Sequence, residues 1–453
     1  MLVEKKRIER INEAELKEGK FVAYWMQSSQ RLEYNQALGY AVEKANQLNQ
    51  PLLIFFLINP NYPEAEYGHF KFMLQGLKEI KAKAAAEKIN FYILKYDGIE
   101  DLKKITEDAS LIISEKVYLN HLQKWKLEAA ELLSIPFYLV ESNLICPIEE
   151  VSQKEEYAAY TIRKKINKIR AKYLKKYERE KLENKEEIKL KKSEFKIINE
   201  LDKFLQQFKT EKEISYEKYF VGGYQQAKEK LDNFINNKLQ NYDEKRNIPH
   251  LNFQSDLSPY LHFGQISAQE IALTALNSDY DAEDFLEELI VRRELAFNFV
   301  YYNQNYDRSL KDILYDWAYE SLMEHKEDER EYLYDYQEFE NAETHDKYWN
   351  AAQKEMLITG KMHNYMRMYW GKKILEWTSD PEDAFQWALK LNNKYSLDGR
   401  DANSYAGVGW IFSKHDRAWT ERKIFGKVRY MNAAGLERKF DMKKYLQKID
   451  ELE

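Results

Sequence analysis

The first third of the chain constrains the fold most, because short apolar runs alternate there with longer helical patterns and the alternation then stops. Residues 21–26, 51–58, 91–96, 111–114 and 136–140 read as buried strands, separated by amphipathic stretches such as 34–48 and 67–88. Alternation of this kind gives a parallel sheet with helices on both faces. Beyond Ile214 the strand pattern disappears. Long periodic segments follow, broken at Gly222-Gly223, Pro249, Pro259 and Ser379-Asp380-Pro381, the last predicting a helix start with Pro in its first turn. With 453 residues the chain exceeds what one core supports. The expected architecture is an α/β domain with a parallel, Rossmann-like sheet at 1–160, a basic helical linker at 161–213 and an all-helical domain at 214–453.

Several function classes are excluded early. There is no G-x-G-x-x-G or Walker A loop, so an ordinary dinucleotide or nucleoside triphosphate site is not expected. One cysteine, Cys146, rules out an internal disulfide framework, and the eight histidines show no HExxH spacing, so no metal is expected. No run of eighteen apolar residues occurs, and Met1-Leu-Val-Glu-Lys-Lys-Arg7 leads into charge, so a protein with no membrane partner, in the cytoplasm or a nucleus, is expected. Charge is unevenly placed under a net of −6. Residues 279–346 hold six basic and twenty-one acidic side chains, whereas 400–439 hold nine basic and four acidic. A basic face for nucleic acid on an acidic molecule fits that distribution, and so does ordinary solvated charge. Residues 163–192, with fourteen basic and five acidic, read as an exposed helix plus linker.

The most informative single stretch is Met362-His-Asn-Tyr-Met-Arg-Met-Tyr-Trp-Gly-Lys-Lys-Ile-Leu-Glu-Trp377, which reads as one helix. Trp370 and Trp377, seven apart, share a face. An Arg beside oxidisable aromatics suggests a buried electron-accepting cofactor. A core helix whose indoles only fill space is the competing reading. Ser255-Asp-Leu-Ser258 places small hydroxyl residues before Pro and an apolar run, as at helix starts where free N–H groups bind phosphate.

These segments occur in one order with Tyr24-Trp-Met-Gln-Ser-Ser-Gln-Arg31, Ser255-Asp-Leu-Ser-Pro-Tyr-Leu-His-Phe-Gly264, Glu287-Glu-Leu-Ile-Val-Arg-Arg-Glu-Leu295, Leu391-Asn-Asn-Lys-Tyr-Ser-Leu-Asp-Gly-Arg-Asp401, Ser404-Tyr-Ala-Gly-Val-Gly-Trp410 and Ile424-Phe-Gly-Lys-Val-Arg-Tyr-Met-Asn432. In that order and spacing the chain closely resembles the class II cyclobutane pyrimidine dimer photolyases of the photolyase/cryptochrome superfamily, over nearly its whole length. The resemblance implies FAD, reduced to FADH⁻ in the active form. It implies an electron passed under light to a dimer flipped out of double-stranded DNA, ring splitting, and return of the electron. An antenna chromophore of deazaflavin type, or none, and a monomer are further expectations.

The resemblance also assigns residues. Gln254, Ser255, Asp256, Leu257 and Ser258 would cradle the diphosphate and ribityl chain with Tyr242, twelve residues before Gln254. Phe285, Asn364 and Arg400 join the cofactor set. Arg367 and Asp398 would form a salt-bridged pair beside the isoalloxazine, where fixed positive charge suits an anionic flavin and a buried Arg needs a carboxylate. Asn392 looks like the amide facing flavin N5, although Asn403 sits at the spacing other photolyase classes use, and both stand as candidates with Asn392 preferred. Glu288 would hydrogen-bond the damaged base and steady charge on a carbonyl. Met368 and Trp410 would line the lesion pocket, Trp410 stacking on the extruded base. Arg292 and Arg293 would reach flavin or DNA, and Arg429 DNA. Trp370, Trp349 and Trp377, innermost to outermost, resemble the electron-relaying tryptophans, with Tyr369 and Tyr334 as auxiliary redox tyrosines. Two departures are Ala402 in place of Pro and Gln36 in place of His. A cryptochrome-like blue-light photoreceptor is the alternative. A helical nucleic-acid-binding protein without chemistry is a more distant one.

Overall fold

The computed structural model describes residues 3–190 and 214–452, so the end of the expected linker lies outside the described residues. Six strands form one sheet: β1 (Ile8–Arg10), β2 (Phe21–Met26), β3 (Leu52–Ile58), β4 (Asn90–Lys95), β5 (Ala109–Glu115) and β6 (Phe137–Val140), in the order β1-β6-β5-β2-β3-β4. All neighbours are parallel except β1, which pairs antiparallel with β6. That short edge strand is not anticipated by the sequence pattern, since Ile8-Glu-Arg10 carries no apolar run.

β2 shows why the inner strands are continuous apolar runs. Val22, Tyr24 and Met26 enter the core on one face of the sheet, while Phe21, Ala23 and Trp25 enter the core on the other. A strand buried on both faces has no polar side to alternate with. Each such large side chain contributes roughly 1.5–3 kcal/mol through burial.

The rest of the described residues form helices and the loops between them. Asp380 caps the helix Pro381–Tyr395 by accepting from Glu382 N–H at 2.8 Å, as the Ser-Asp-Pro sequence predicts. The segment expected to be a solvated linker is instead held down. Its helix Ala159–Tyr173 buries Ile162 and Ile166, and Arg163 forms a bidentate pair with Glu287. Further on, the carbonyls of Lys181, Glu186 and Ile188 accept from Asn46, Asn90 and Tyr92 of the α/β part. Lysine density hid these apolar and backbone anchors.

The two parts are joined by buried polar contacts. Arg31 donates to the carbonyls of Ser142 and Gly264 at 2.7 and 2.9 Å. Gln36, the departure from the family pattern, donates to Gln269 at 2.7 Å. Gly264 has φ +65°, and a Cβ there would stand 2.0 Å from the Ser28 carbonyl oxygen. Only glycine allows so close an approach.

Candidate functional site

Three segments wall a cavity of about 360 Å³ in the helical part. The first is the helix Asn364–Trp377, begun by His363, whose Nδ1 accepts from Tyr365 N–H at 3.2 Å. Burial, then the nearby Lys448 and Lys361, push the His363 imidazole down to about 3, so it stays neutral and able to accept. The second is the helix Ala402–Ile411, capped by Asp401. The two helices meet at Gly371, where a Cβ would lie 2.1 Å from Ile411 Cδ1. Asn364, Arg367 and Met368 face the cavity from the first helix, and Asn403, Gly407 and Trp410 from the second.

The third wall is a π-helical turn, Glu287–Arg292, between Glu283–Leu286 and Arg293–Tyr302. Wide turns of this kind are frequent at functional sites. Glu288 and Arg292 both line the cavity, and Arg246, which the sequence reading missed, pairs with Glu288 at 2.8 Å. Its only sequence trace is its position one helical turn after Tyr242, over whose ring it lies at 5.5 Å. Burial works against the charged guanidinium of Arg246, but Glu288 and Tyr242 outweigh it and raise its pKa.

Behind this cavity lies a buried polar cluster. Arg367 Nη2 and Asp398 Oδ1 are 3.6 Å apart, an ion pair without a close hydrogen bond. Burial raises the Asp398 carboxyl, but the Arg367 charge, the Ser258 hydroxyl and Lys361 pull it net below the usual carboxylate range. Asn392 is 1% exposed, on the helix that leads into the Asp398 loop. Arg367 Nε, Asp398 Oδ1 and Asn392 Nδ2 are all buried without a hydrogen-bond partner. Buried donors and acceptors are almost always paired, and a heteroaromatic ring carrying both kinds of atom on its edge would pair these. The cluster therefore fits a flavin. Asn403 differs: it is exposed at the cavity wall, and its Nδ2 already donates to Asp401 at 3.0 Å.

The 254–258 loop is held by lysines. Asp256, at φ +57°, accepts from Lys361 at 2.6 Å, and Lys238 donates to the Gln254 carbonyl at 3.1 Å. Leu257 occupies the cap position with no side-chain bond, and the Ser258 hydroxyl lies near enough to Asp398 to lower its pKa, leaving first-turn N–H groups without a side-chain cap. Tyr242 stands edge-on to Phe285 at 5.6 Å, and Phe285 itself is core.

The tryptophans form a connected series. Trp370 and Trp349 are fully buried and stacked, 6.4 Å between centroids at 10°. Trp377 follows at 6.3 Å from Trp349, and Tyr334 at 5.7 Å from Trp377. The indole N–H of Trp370 donates to Gln353, that of Trp349 to the Trp370 carbonyl, both at 2.9 Å. Tyr369 donates to Asp346. Periodicity alone could not have ordered this series, because Trp349 comes from a neighbouring helix, Lys347–Thr359.

Two assigned arginines lie elsewhere. Arg293, expected at flavin or DNA, is 7% exposed and donates to the Asn143 carbonyl at 2.9 Å, so it binds the α/β part instead. Arg400 is 4% exposed and sits 3.0 Å from His69 Nε2, lining a second, smaller cavity at the junction of the two parts. Arg292 lines the cavity while its neighbour Arg293 turns away from it, because successive residues sit about 100° apart around a helix, which a linear motif does not reveal. Among the described residues no group of His, Cys, Asp and Glu could hold a metal, and no helix is long and apolar enough to cross a membrane.

A doubly wound sheet packed on an all-helical part is the fold of the photolyase/cryptochrome superfamily. The structure aligns with a class III photolyase from Agrobacterium tumefaciens at a TM-score of 0.74 and 18% identity, covering 96% of this chain and 87% of that one. It aligns with a Synechocystis cryptochrome at 0.76 and 15%, covering 94% and 88%. A sequence profile of the DNA photolyase family matches residues 22–186. Over 99% of both chains the sequence is 43% identical to the deoxyribodipyrimidine photo-lyase of Methanothermobacter thermautotrophicus, and it is 40% identical to that of Arabidopsis thaliana over 95% of this chain and 89% of the plant one. The chain belongs to the deoxyribodipyrimidine photo-lyases of the DNA photolyase family.

Proposed function

We propose that this photolyase repairs cyclobutane pyrimidine dimers in double-stranded DNA under light, in the class II manner, as a monomer and with FAD held in its reduced state. The observation that carries the reading is the junction of the orphaned Arg367, Asp398 and Asn392 groups with the cavity between Glu288, Met368 and Trp410. A flavin bound there supplies the light-driven electron that splits the dimer.

The chain's own residues do the rest. Arg367 puts positive charge, steadied by Asp398, beside the polar edge of the ring. The free amide hydrogens of Asn392 would donate to a ring nitrogen of the flavin, and the amide could turn to offer its oxygen instead. First-turn N–H groups at Ser258, with Lys361 and Lys238 near, suit a diphosphate. Trp410 and Met368 give an extruded base an apolar seat, and Glu288 can leave Arg246 to meet its carbonyl edge. Trp370, Trp349 and Trp377 carry electrons inward when the flavin has become oxidised.

The smaller cavity, about 170 Å³, opens at the carboxyl ends of β2, β3 and β5, where the strand order reverses. Such crevices bind planar ligands. An apolar lining that includes Trp125 and Tyr62 suits a deazaflavin-type antenna.

The test is an absorption spectrum of the purified protein, then a light-against-dark repair assay on irradiated oligonucleotide. Flavin absorbance with repair only in light is expected. Repair in darkness would overturn the light-driven reading, and flavin without any repair would leave the photoreceptor reading.

A further inference from the structure

Past Trp377 the redox series ends in a polar group with its own proton acceptor. Tyr334 docks by its backbone, its N–H donating to the Trp377 carbonyl at 3.1 Å. The Tyr334 hydroxyl lies 2.7 Å from His345 Nδ1 and accepts from the His345 N–H at 2.9 Å. The imidazole is stacked on Tyr332 at 3.6 Å and stands 4.9 Å from Trp377. Four aromatic rings thus meet where the buried series reaches an exposed residue, His345.

Oxidising a phenol without moving its proton gives a strongly acidic radical cation, a poor place to leave a hole. Oxidation with transfer of the proton to a base already hydrogen-bonded gives a neutral radical that holds it. Aliphatic or carbonyl partners would not do this. An imidazole can, because one ring nitrogen accepts while the other remains N–H, and it titrates near neutrality.

We propose that His345 is the proton acceptor that makes Tyr334 the terminal donor of the tryptophan series. In this step the Tyr334 O–H bond breaks and a His345 Nδ1–H bond forms, while one electron passes from Tyr334 to the indole radical cation on Trp377. Trp377 returns to its neutral state, Tyr334 becomes a neutral phenoxyl radical, and His345 becomes an imidazolium. The oxidant is the Trp377 radical cation, generated in turn through Trp349 and Trp370 by a photoexcited oxidised flavin. Because His345 is exposed, the proton can pass on to solvent, which delays return of the electron. The inference rests on the flavin reading for its natural oxidant, but not for its geometry.

The experiment is flash photolysis of the holoenzyme with flavin oxidised, in H₂O and D₂O, following the indole and tyrosyl bands. The wild type should show indole decay matched by tyrosyl growth, slowed in D₂O. His345→Phe keeps a ring against Tyr332 and Trp377 but should lose the tyrosyl band and the isotope effect, as should Tyr334→Phe, with the double variant no worse. A second arm generates the hole with a flash-excited ruthenium polypyridyl and a sacrificial acceptor in place of flavin light. If that arm gives a His345-dependent tyrosyl radical while flavin excitation gives none, the proposal stands and the flavin reading falls. Tyrosyl growth in His345→Phe at the wild-type rate, or no tyrosyl radical in the wild type by either route, overturns it.

Discussion

At the scale of the residue, Asp398 and Glu288 are carboxylates with opposite duties. Asp398 is locked between Arg367, Ser258 and Lys361 and its pKa is depressed. A group whose folded pKa lies below its unfolded value stabilises the fold above the unfolded value and loses that contribution as pH falls through the folded one. Flavin retention and Tm should therefore be flat through neutral pH and decline only in acid, below the ordinary carboxylate range. Asp398→Asn should abolish that acid limb and empty much of the flavin site, at a stability cost of about 2 kcal/mol for leaving Arg367 without its counter-charge. Urea melts and flavin content at pH 7 and across an acid series below about pH 4 check both. Glu288 is half-buried at the cavity and pairs with Arg246. Glu288→Ala should lower the repair yield while flavin content stays at the wild-type level, and an unchanged yield per absorbed photon would refute its role. The two roles follow from neighbours, and the sequence named both residues by motif alone. It could not name Arg246, whose partner lies forty-two positions away in sequence.

At the scale of the element, the helix Asn364–Trp377 lines the cavity on one side and carries two of the three packed indoles proposed as the electron path on the other. Its mixed buried surface explains why periodicity left two readings open: the indoles and lysines of its last two turns are all covered, including Lys372 and Lys373. Neighbouring helices make the difference, for Trp349 lies between Trp370 and Trp377 from another element. Trp370→Phe should abolish photoreduction of oxidised FAD and spare repair by enzyme already reduced with dithionite, since that electron never crosses the indoles. The fold should lose roughly 1–3 kcal/mol through altered packing, and the Gln353 oxygen loses its donor. Photoreduction at the wild-type rate would transfer the role to Tyr369. The π-turn at Glu287–Arg292 was not legible, because no residue type demands it. Strands β2, β3 and β5 were legible, since burial on both faces writes itself as an unbroken apolar run.

At the scale of the whole molecule, net charge −6 must be reconciled with a polyanionic substrate. We propose that the basic stretch 400–439 does so, once the structure removes two of its members. Arg400 is buried at the junction of the two parts, and Lys414 is buried in a pair with Glu155. Arg417, Arg422, Lys423, Lys427, Arg438 and Lys439 are exposed, and Arg429 lies half-buried over the ring of Trp419. Sequence counts could not separate these, because burial is decided by partners such as Glu155, 259 positions away. Phosphate contacts release counterions, so affinity for a dimer-containing duplex should fall steeply with salt, each contact contributing about 0.9 to the slope of log K against log salt. Arg429→Ala and Arg417→Ala should each lower that slope by about one and weaken damaged and undamaged duplexes alike. Arg400→Ala should leave the slope unchanged, since its guanidinium faces His69 and Asn393. Fluorescence anisotropy over a salt series distinguishes the three variants. A slope that is flat in the wild type, or one that responds to Arg400→Ala as it does to Arg429→Ala, would move the DNA face off this stretch.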